Sequence, residues 1–95
     1  QLGAASEGEK TMVDALAPAV AAFSEAVAEE AAAPAALAAL TDAADAGAHD
    51  TISLQALKGR ASYLGPRSVG HEDPGAASTA LILHALRDVA ARQAT

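Results

Sequence analysis

The apolar part of this sequence is largely alanine, and this limits how the chain can build a core. Hydrophobic residues make up 52% of the 95 residues, yet there is one Phe, one Tyr, one Met and no Trp. Alanine buries little area, and burial contributes only about 25 cal/mol per Å² of apolar surface. The sequence therefore predicts either helices that pack very closely or a fold that is completed by something else.

Charge and residue usage exclude several classes of function. The net charge of −6 argues against a nucleic-acid-binding protein, which needs a basic face for phosphates. The absence of cysteine excludes disulfides and thiolate metal sites, and it fits a cytoplasmic location. Residues 1–10 show no signal-peptide pattern, and no apolar run approaches the ~20 residues of a membrane helix. We expect a cytoplasmic protein that binds neither membranes nor nucleic acid.

The spacing of apolar residues predicts helices and no strands. A first helix is expected over about residues 9–30, and a second over about 34–56 with Pro34 in its first turn. The first predicted helix has one apolar stripe, which comprises Met12, Leu16, Val20, Phe23 and Val27. The corresponding stripe in the second comprises Leu37, Leu40, Ala44, Ala48 and Ile52.

A third helix is expected over about residues 74–92, with Asp73 as N-cap and Pro74 as its first residue. Its apolar residues spread around more than one face: Leu81, Ile82, Leu83, Ala85, Leu86 and Val89. A helix that is apolar on two sides needs neighbours on both, and the two alanine-rich stripes do not supply them. The chain is therefore either a piece of a larger helical barrel or an ordinary three-helix bundle with a weak core.

A long segment without helical periodicity, GRASYLGPRSVGHEDPG at 59–75, separates the second and third helices. Loops longer than about 12–15 residues are usually functional or disordered. The stretch from Lys58 to Arg67 is locally basic, because it contains Lys58, Arg60 and Arg67 and no acidic residue. The loop leads into a helix N-terminus, where free N–H groups and the helix dipole favour an anion. The segment has the parts of a phosphate site, although a flexible surface loop also explains the glycines and arginines. Tyr63 and Leu64 favour a structured lid.

Two longer motifs carry a family resemblance: GEKTMVDALAPAV at 8–20 and KGRASYLGPRSVGHEDPGAAS at 58–78. They resemble the nucleotide-binding, DhaL-type domain of dihydroxyacetone kinases. The resemblance extends over essentially the whole chain, which covers about the C-terminal half of that domain. It implies an all-α fold, with three antiparallel helices plus a long ordered loop as part of an eight-helix barrel. The loop, residues 57–75, would close over the nucleotide.

The resemblance also implies an activity. Domains of this type hold ADP or ATP with Mg²⁺ and pass the γ-phosphate to dihydroxyacetone (glycerone) or a similar small ketose or aldose. The acceptor is bound on a separate domain or subunit, and in phosphotransferase-system forms a phosphoprotein recharges the bound ADP. The expected partners are therefore the remaining N-terminal half of the domain, the dihydroxyacetone-binding domain or subunit and, in those forms, the phosphoprotein.

Six nucleotide-binding residues follow from the resemblance: Gly3, Met12, Arg60, Asp73, Pro74 and Gly75. Gly3 and Met12 match positions on the adenine side of the pocket, and Arg60 matches an arginine that contacts the nucleotide. Asp73, Pro74 and Gly75 match a nucleotide-contacting turn. Two of these assignments have structural alternatives, because Met12 could be a core residue and Asp73 with Pro74 is a sufficient helix cap without any ligand.

The metal-binding part of the family pattern does not occur in this sequence. An all-oxygen Mg²⁺ site needs several convergent carboxylates, whereas Asp42, Asp45 and Asp50 lie along one face of a predicted helix. We expect the metal ligands to lie outside this chain, no catalytic residue within it, and no catalysis from it alone. The alternatives are a non-catalytic helical interaction module that retains the family surface, and a purely structural bundle.

Five further polar residues are expected to have structural or solvent roles. Within the matched motifs, Lys10 is expected to be solvated, Asp14 to favour the first helical turn, and His71 to brace the loop. His49 and His84 have no ligand partner at a useful spacing and are expected at the surface or hydrogen-bonded in the core.

Overall fold

The computed structural model describes residues 7–56 and 65–93, and within them all regular structure is helical. The helices are α1 (Val13–Ala28), α2 (Ala33–Asp50) and α3 (Pro74–Gln93), with 3-10 turns at Thr51–Ser53 and 65–68. This confirms the prediction of an all-α fold with three helices. None of the helices in these two ranges is long and apolar enough to cross a membrane.

The start of α1 is set by a polar turn. Gly8 and Lys10 have φ angles of 89° and 62°, which interrupt helical geometry before Val13. The Asp14 carboxylate accepts the backbone N–H of Gly8 at 2.5 Å and that of Thr11 at 2.9 Å. Asp14 thus satisfies two N–H groups of the turn that precedes the helix, and the structural role expected for it in the first turn is confirmed.

The end of α1 reverses the chain. Glu30 adopts a left-handed conformation with φ of 61°. Its N–H donates to the Val27 carbonyl, and the Ala31 N–H donates to the Ala26 carbonyl, both at 3.0 Å. These two bonds form a Schellman motif. α2 then begins with Pro34 in its first turn, so α1 and α2 are antiparallel neighbours.

The packing of α3 against α2 is also antiparallel, as three side-chain contacts along the helix pair show. The pairs are Asp73 N–H to Thr51 Oγ1 at 2.9 Å, His84 Nε2 to Asp45 Oδ2 at 2.8 Å, and Arg87 Nη1 to Thr41 Oγ1 at 3.1 Å. The half-exposed His84 is therefore a surface residue with a carboxylate partner.

The core between the helices is built mainly from alanine, as the composition predicts. It comprises Ala15, Ala19, Leu40, Ala44, Ala48, Ala76 and Ala80. Gly47 shows how closely α1 and α2 approach, because a β-carbon there would lie 2.1 Å from the Asp14 carbonyl oxygen and 2.9 Å from Pro18 Cγ. Glycine at this position allows the two backbones to come into direct contact.

The large apolar side chains of α1 and α3 lie mostly outside this core. The stripe predicted for α1 does not face the core between the described helices, because the buried residues of α1 are Asp14, Ala15 and Ala19. The most exposed large side chains of the two helices include Val20, Phe23, Val27, Leu81, Ile82, Leu86 and Val89. Leu81 is 71% exposed and Ile82 67% exposed. The described helices therefore leave two apolar faces uncovered.

Replacing Gly47 with alanine should test the close approach of α1 and α2. Alanine normally stabilises a helix interior by about 0.8–1 kcal/mol relative to glycine. Here its β-carbon would force the helices apart, and we expect the free energy of unfolding to fall by at least about 2 kcal/mol. Urea unfolding followed by circular dichroism measures the change.

The control for this variant is Ala46→Gly, at an exposed position of α2. It should lower the free energy of unfolding by only about 1 kcal/mol, through the intrinsic preference of the helix for alanine. A stabilised Gly47→Ala protein would contradict the close approach.

Candidate functional site

Three segments of the chain meet at one end of the helices: the turn before α1, the end of α2 and the residues before α3. Lys10 joins them, since its Nζ donates to the Thr51 carbonyl at 2.6 Å and also to the His71 carbonyl. We call Lys10, Thr51, His71 and Asp73 the polar junction. It fixes the relative positions of the three segments.

The expectation that Lys10 is solvated is wrong. The residue is 2% exposed, and its backbone lies in the left-handed region, which only a few per cent of non-glycine residues adopt. Burying a charged amine is costly unless its donors find acceptors, and two carbonyl oxygens provide them here. Nothing in the sequence indicates this arrangement, since backbone carbonyls belong to every residue type.

Thr51 is a second residue that sequence reasoning missed. Its side chain is completely buried, and its Oγ1 donates to the Ala48 carbonyl at 2.6 Å while accepting the Asp73 N–H at 2.9 Å. The hydroxyl thus connects the last turn of α2 to the cap of α3. A threonine after a helix is too common to signal such a role.

The N-terminus of α3 is capped as predicted. Asp73 Oδ2 accepts the Ala76 N–H at 2.9 Å, and the Asp73 backbone carbonyl accepts the Ala77 N–H at the same distance. Pro74 is the first residue of the helix. The side chain of Asp73 is held among buried groups with only 7% of the residue exposed, so its position is well fixed.

Met12 lies directly beside the start of α3. A β-carbon built on Gly75 would be 3.7 Å from the β-carbon of Met12 and 3.1 Å from Asp73 Oδ2. Met12 is 38% exposed and therefore presents part of its thioether chain to solvent. Four residues expected to contact nucleotide thus lie at the same end of the helices: Met12, Asp73, Pro74 and Gly75. Gly3 and Arg60 lie outside the described residues.

The described part of the long loop is tied to the end of α2. Ser68 is buried, and its Oγ donates to the Gly65 carbonyl at 2.7 Å and accepts the Ala56 N–H at 2.8 Å. Gly70, with φ of 96°, donates its N–H to the Ile52 carbonyl at 2.6 Å. These bonds hold residues 65–70 against residues 52–56, which follow α2.

One remaining prediction for the loop can be compared with the structure, and the others concern residues outside the described ranges. His71 does brace it, although through the backbone carbonyl that accepts from Lys10. Lys58, Tyr63 and Leu64, on which the basic and lid-like character of the loop depends, lie outside the described ranges together with Arg60.

The arrangement of acidic side chains bears on metal binding. Among residues 7–56 and 65–93, no three Asp, Glu, His or Cys side chains are grouped so that they could hold a metal ion. Asp45 is paired with His84, and the Asp73 and Asp14 carboxylates accept backbone N–H groups. This part of the chain therefore does not itself form a cation site.

The sequence matches the DAK2 domain over residues 1–88. The chain belongs to the DAK2 domain family. This confirms the predicted resemblance to DhaL-type domains. The helical fold and the meeting of the matched motifs at one end agree with that placement.

Curated relatives of this DAK2 chain include two DhaL subunits. It is 44% identical over 84 residues to "PEP-dependent dihydroxyacetone kinase, ADP-binding subunit DhaL" of Escherichia coli K12, covering 88% of this chain and 40% of the relative. It is 46% identical over 85 residues to "PEP-dependent dihydroxyacetone kinase 1, ADP-binding subunit DhaL" of Listeria innocua, covering 88% and 37%.

A third relative is the "L-erythrulose 1-kinase" of Mycolicibacterium smegmatis, which is 44% identical over 86 residues, covering 90% of this chain and 15% of the relative. The DAK2 chain thus spans no more than about two fifths of the length of these three relatives.

Replacing Asp73 should separate its capping role from any contact with a ligand. In the absence of nucleotide, Asp73→Ala leaves the Ala76 N–H without its acceptor, and we expect the free energy of unfolding to fall by about 1–2 kcal/mol. Asp73→Asn retains a capping oxygen and should stay within about 0.5 kcal/mol of the original protein. Thermal unfolding of both variants measures the difference, and equal losses would contradict the cap.

Proposed function

We propose that this DAK2 chain forms part of the nucleotide-binding domain of a kinase that phosphorylates dihydroxyacetone or a similar small ketose or aldose. The observation that carries the proposal is the meeting of Met12 with Asp73, Pro74 and Gly75 at the capped start of α3. The names of the relatives support it, since two are ADP-binding subunits of dihydroxyacetone kinases and the third is a kinase of another ketose.

The chemistry of phosphoryl transfer suits such a site. Catalysis of this reaction consists mostly of positioning the phosphates and neutralising their charge. The N-terminus of α3 carries the positive end of the helix dipole, which favours a phosphate. We propose that Arg60 adds a guanidinium fork to the phosphate oxygens, while Met12 offers an adaptable apolar surface to the adenine base.

On this proposal, Met12 and residues 73–75 form only one side of the nucleotide-binding site, and the rest of the site lies outside this chain. We propose that the exposed apolar faces of α1 and α3 pack against the remaining N-terminal half of an eight-helix barrel. That half would supply the aspartates for Mg²⁺, whose role is to neutralise phosphate charge in the bound ADP or ATP. On this proposal the chain has no catalytic residue of its own and is inactive alone.

The proposed kinase needs partners beyond its own domain. The acceptor sugar would be held on a separate dihydroxyacetone-binding domain or subunit. In a PEP-dependent form, like the Escherichia coli relative, a phosphoprotein would recharge the bound ADP. We propose that the complete protein acts in the cytoplasm.

Calorimetric titration with ADP tests the proposal, using this chain alone and the full-length protein that contains it, each with and without MgCl₂. We expect Mg²⁺-dependent binding by the full-length protein and no heat of binding from the chain alone, since the chain lacks the proposed metal ligands. Circular dichroism of each sample reports whether it is folded.

Two outcomes would contradict separate parts of this proposal. If the full-length protein is folded but gives no heat of binding with ADP, the proposed nucleotide-binding role is wrong, and the non-catalytic interaction module is favoured. Equal Mg²⁺-dependent binding by the isolated chain would show that the metal ligands lie within these 95 residues.

Substitution of Arg60 tests the proposed phosphate contact. In the full-length protein, Arg60→Ala should raise the Kd for Mg-ADP about 10- to 100-fold, because a hydrogen bond to a charged group contributes about 1.5–3 kcal/mol. The control is Arg92→Ala, which removes the same charge near the other end of α3 and should leave the Kd within about twofold. An unchanged Kd for Arg60→Ala would remove Arg60 from the site.

A further inference from the structure

We propose that Lys10 is a positioning residue for the nucleotide end of this domain. Its ammonium group holds Met12 and the turn Asp73–Gly75 in a fixed relation to each other. This rests on the proposed function, because those are the residues expected to contact nucleotide.

The position of Lys10 between the segments carries the proposal. It lies two residues before Met12, and one of its acceptors, the His71 carbonyl, lies two residues before Asp73. Its other acceptor is the Thr51 carbonyl at 2.6 Å. Thr51 in turn accepts the Asp73 N–H through its hydroxyl. Lys10 therefore connects both sides of the expected nucleotide contact to one buried residue, Thr51, which directly follows α2.

Because Lys10 is buried, its hydrogen bonds are not easily replaced by hydrogen bonds to water. With the residue 2% exposed, water has little access to replace its hydrogen bonds. If the ammonium were removed, the Thr51 carbonyl would keep the Leu54 N–H at 3.0 Å as a donor, whereas the His71 carbonyl would lose the bond that ties the loop to this point. A carbonyl that loses its donor in a buried place is costly unless it reaches water. The loop carbonyl of His71 could then move outward to reach water. The turn at Asp73 would follow it, away from Met12.

The backbone conformation of Lys10 also supports a positioning role. A left-handed φ of 62° is unfavourable for a residue with a long side chain, and such strained residues concentrate at functional sites where the surrounding structure fixes them. A lysine that served only to keep the surface hydrated would need neither this conformation nor this burial. The strain is offset by the two hydrogen bonds of the ammonium group.

The test compares three variants of the full-length protein. Lys10→Met keeps most of the apolar length of the side chain and removes the ammonium. Leu40→Ala is a control for stability, because Leu40 is a buried core residue in the middle of α2. Arg92→Met is a control for charge near the far end of α3. Each variant is first shown to be folded by circular dichroism at the temperature of the titrations.

The first measurement is the Kd for ADP in the presence of MgCl₂. We expect Lys10→Met to raise it about 10-fold or more, which is the effect of losing one hydrogen bond to a charged group of the ligand when the turn at Asp73 is displaced. Leu40→Ala should lower the melting temperature while leaving the Kd of the folded protein within about twofold. Arg92→Met should also leave the Kd within about twofold.

The second measurement is amide hydrogen exchange, which needs no nucleotide. In Lys10→Met, exchange at Gly70 and Asp73 should accelerate about 10-fold or more relative to amides in the middle of α2. The Asp73 N–H donates to Thr51 within the polar junction, and the Gly70 N–H donates to the carbonyl of the next residue, Ile52. Leu40→Ala should not accelerate these two amides selectively.

A rescue experiment tests the ammonium group itself. Lys10→Cys, aminoethylated in denaturant and refolded, restores an amine at nearly the original reach, and the original protein put through the same treatment is the control. We expect the treated variant to recover most of the lost affinity and exchange protection.

The outcomes separate the two proposals. Failure of the original full-length protein to bind Mg-ADP would overturn the proposed function, and this inference with it. Binding by the original protein together with an unchanged Kd for Lys10→Met would overturn only the positioning role. Equal losses of affinity in Lys10→Met and Leu40→Ala would also overturn it, since the effect would then be one of general stability.

Discussion

The close approach of α1 and α2 at Gly47 is the constraint on which the rest of this structure depends. Because residue 47 has no β-carbon, the backbone of α2 lies against the Asp14 carbonyl, and alanine side chains suffice to fill the space beside it. The larger apolar residues of α1, such as Phe23, are then left on other faces. Tight packing within the chain and the uncovered apolar surface therefore have the same cause.

The close contact between α1 and α2 also determines which residues meet at the end of the helices. With α1 and α2 antiparallel and in contact at residues 14 and 47, the turn before α1 comes level with Thr51 after α2. α3 starts beside them, since the Asp73 N–H reaches the same threonine. The polar junction is thus a consequence of helix packing, and the segments matched by the two family motifs meet there although they are far apart in sequence.

Local signals in the sequence predicted local structure well. Asp73 followed by Pro74 gives a helix start with a known mechanism, and the apolar stripe of α2 correctly included Leu40. The helical stripe of α1 correctly predicted that the apolar residues share one side of a helix, but it did not predict whether that side is buried within this chain. Periodicity does not distinguish a core inside the chain from a surface that other residues cover. Burial of Lys10 was unpredictable, since its acceptors are backbone carbonyls 41 and 61 positions away. Family resemblance identified candidate site residues that composition alone left ambiguous.

The long sequence separations at Lys10 have a consequence for the order of folding. α1 and α2 are joined by residues 29–32 alone, so this hairpin can form with little loss of chain entropy. The polar junction must wait for the segment around residue 73, and contacts between distant residues form late when loop closure is costly. The end of the helices that we assign to nucleotide would thus be assembled last. A nucleotide bound there would stabilise only chains that had already completed this step.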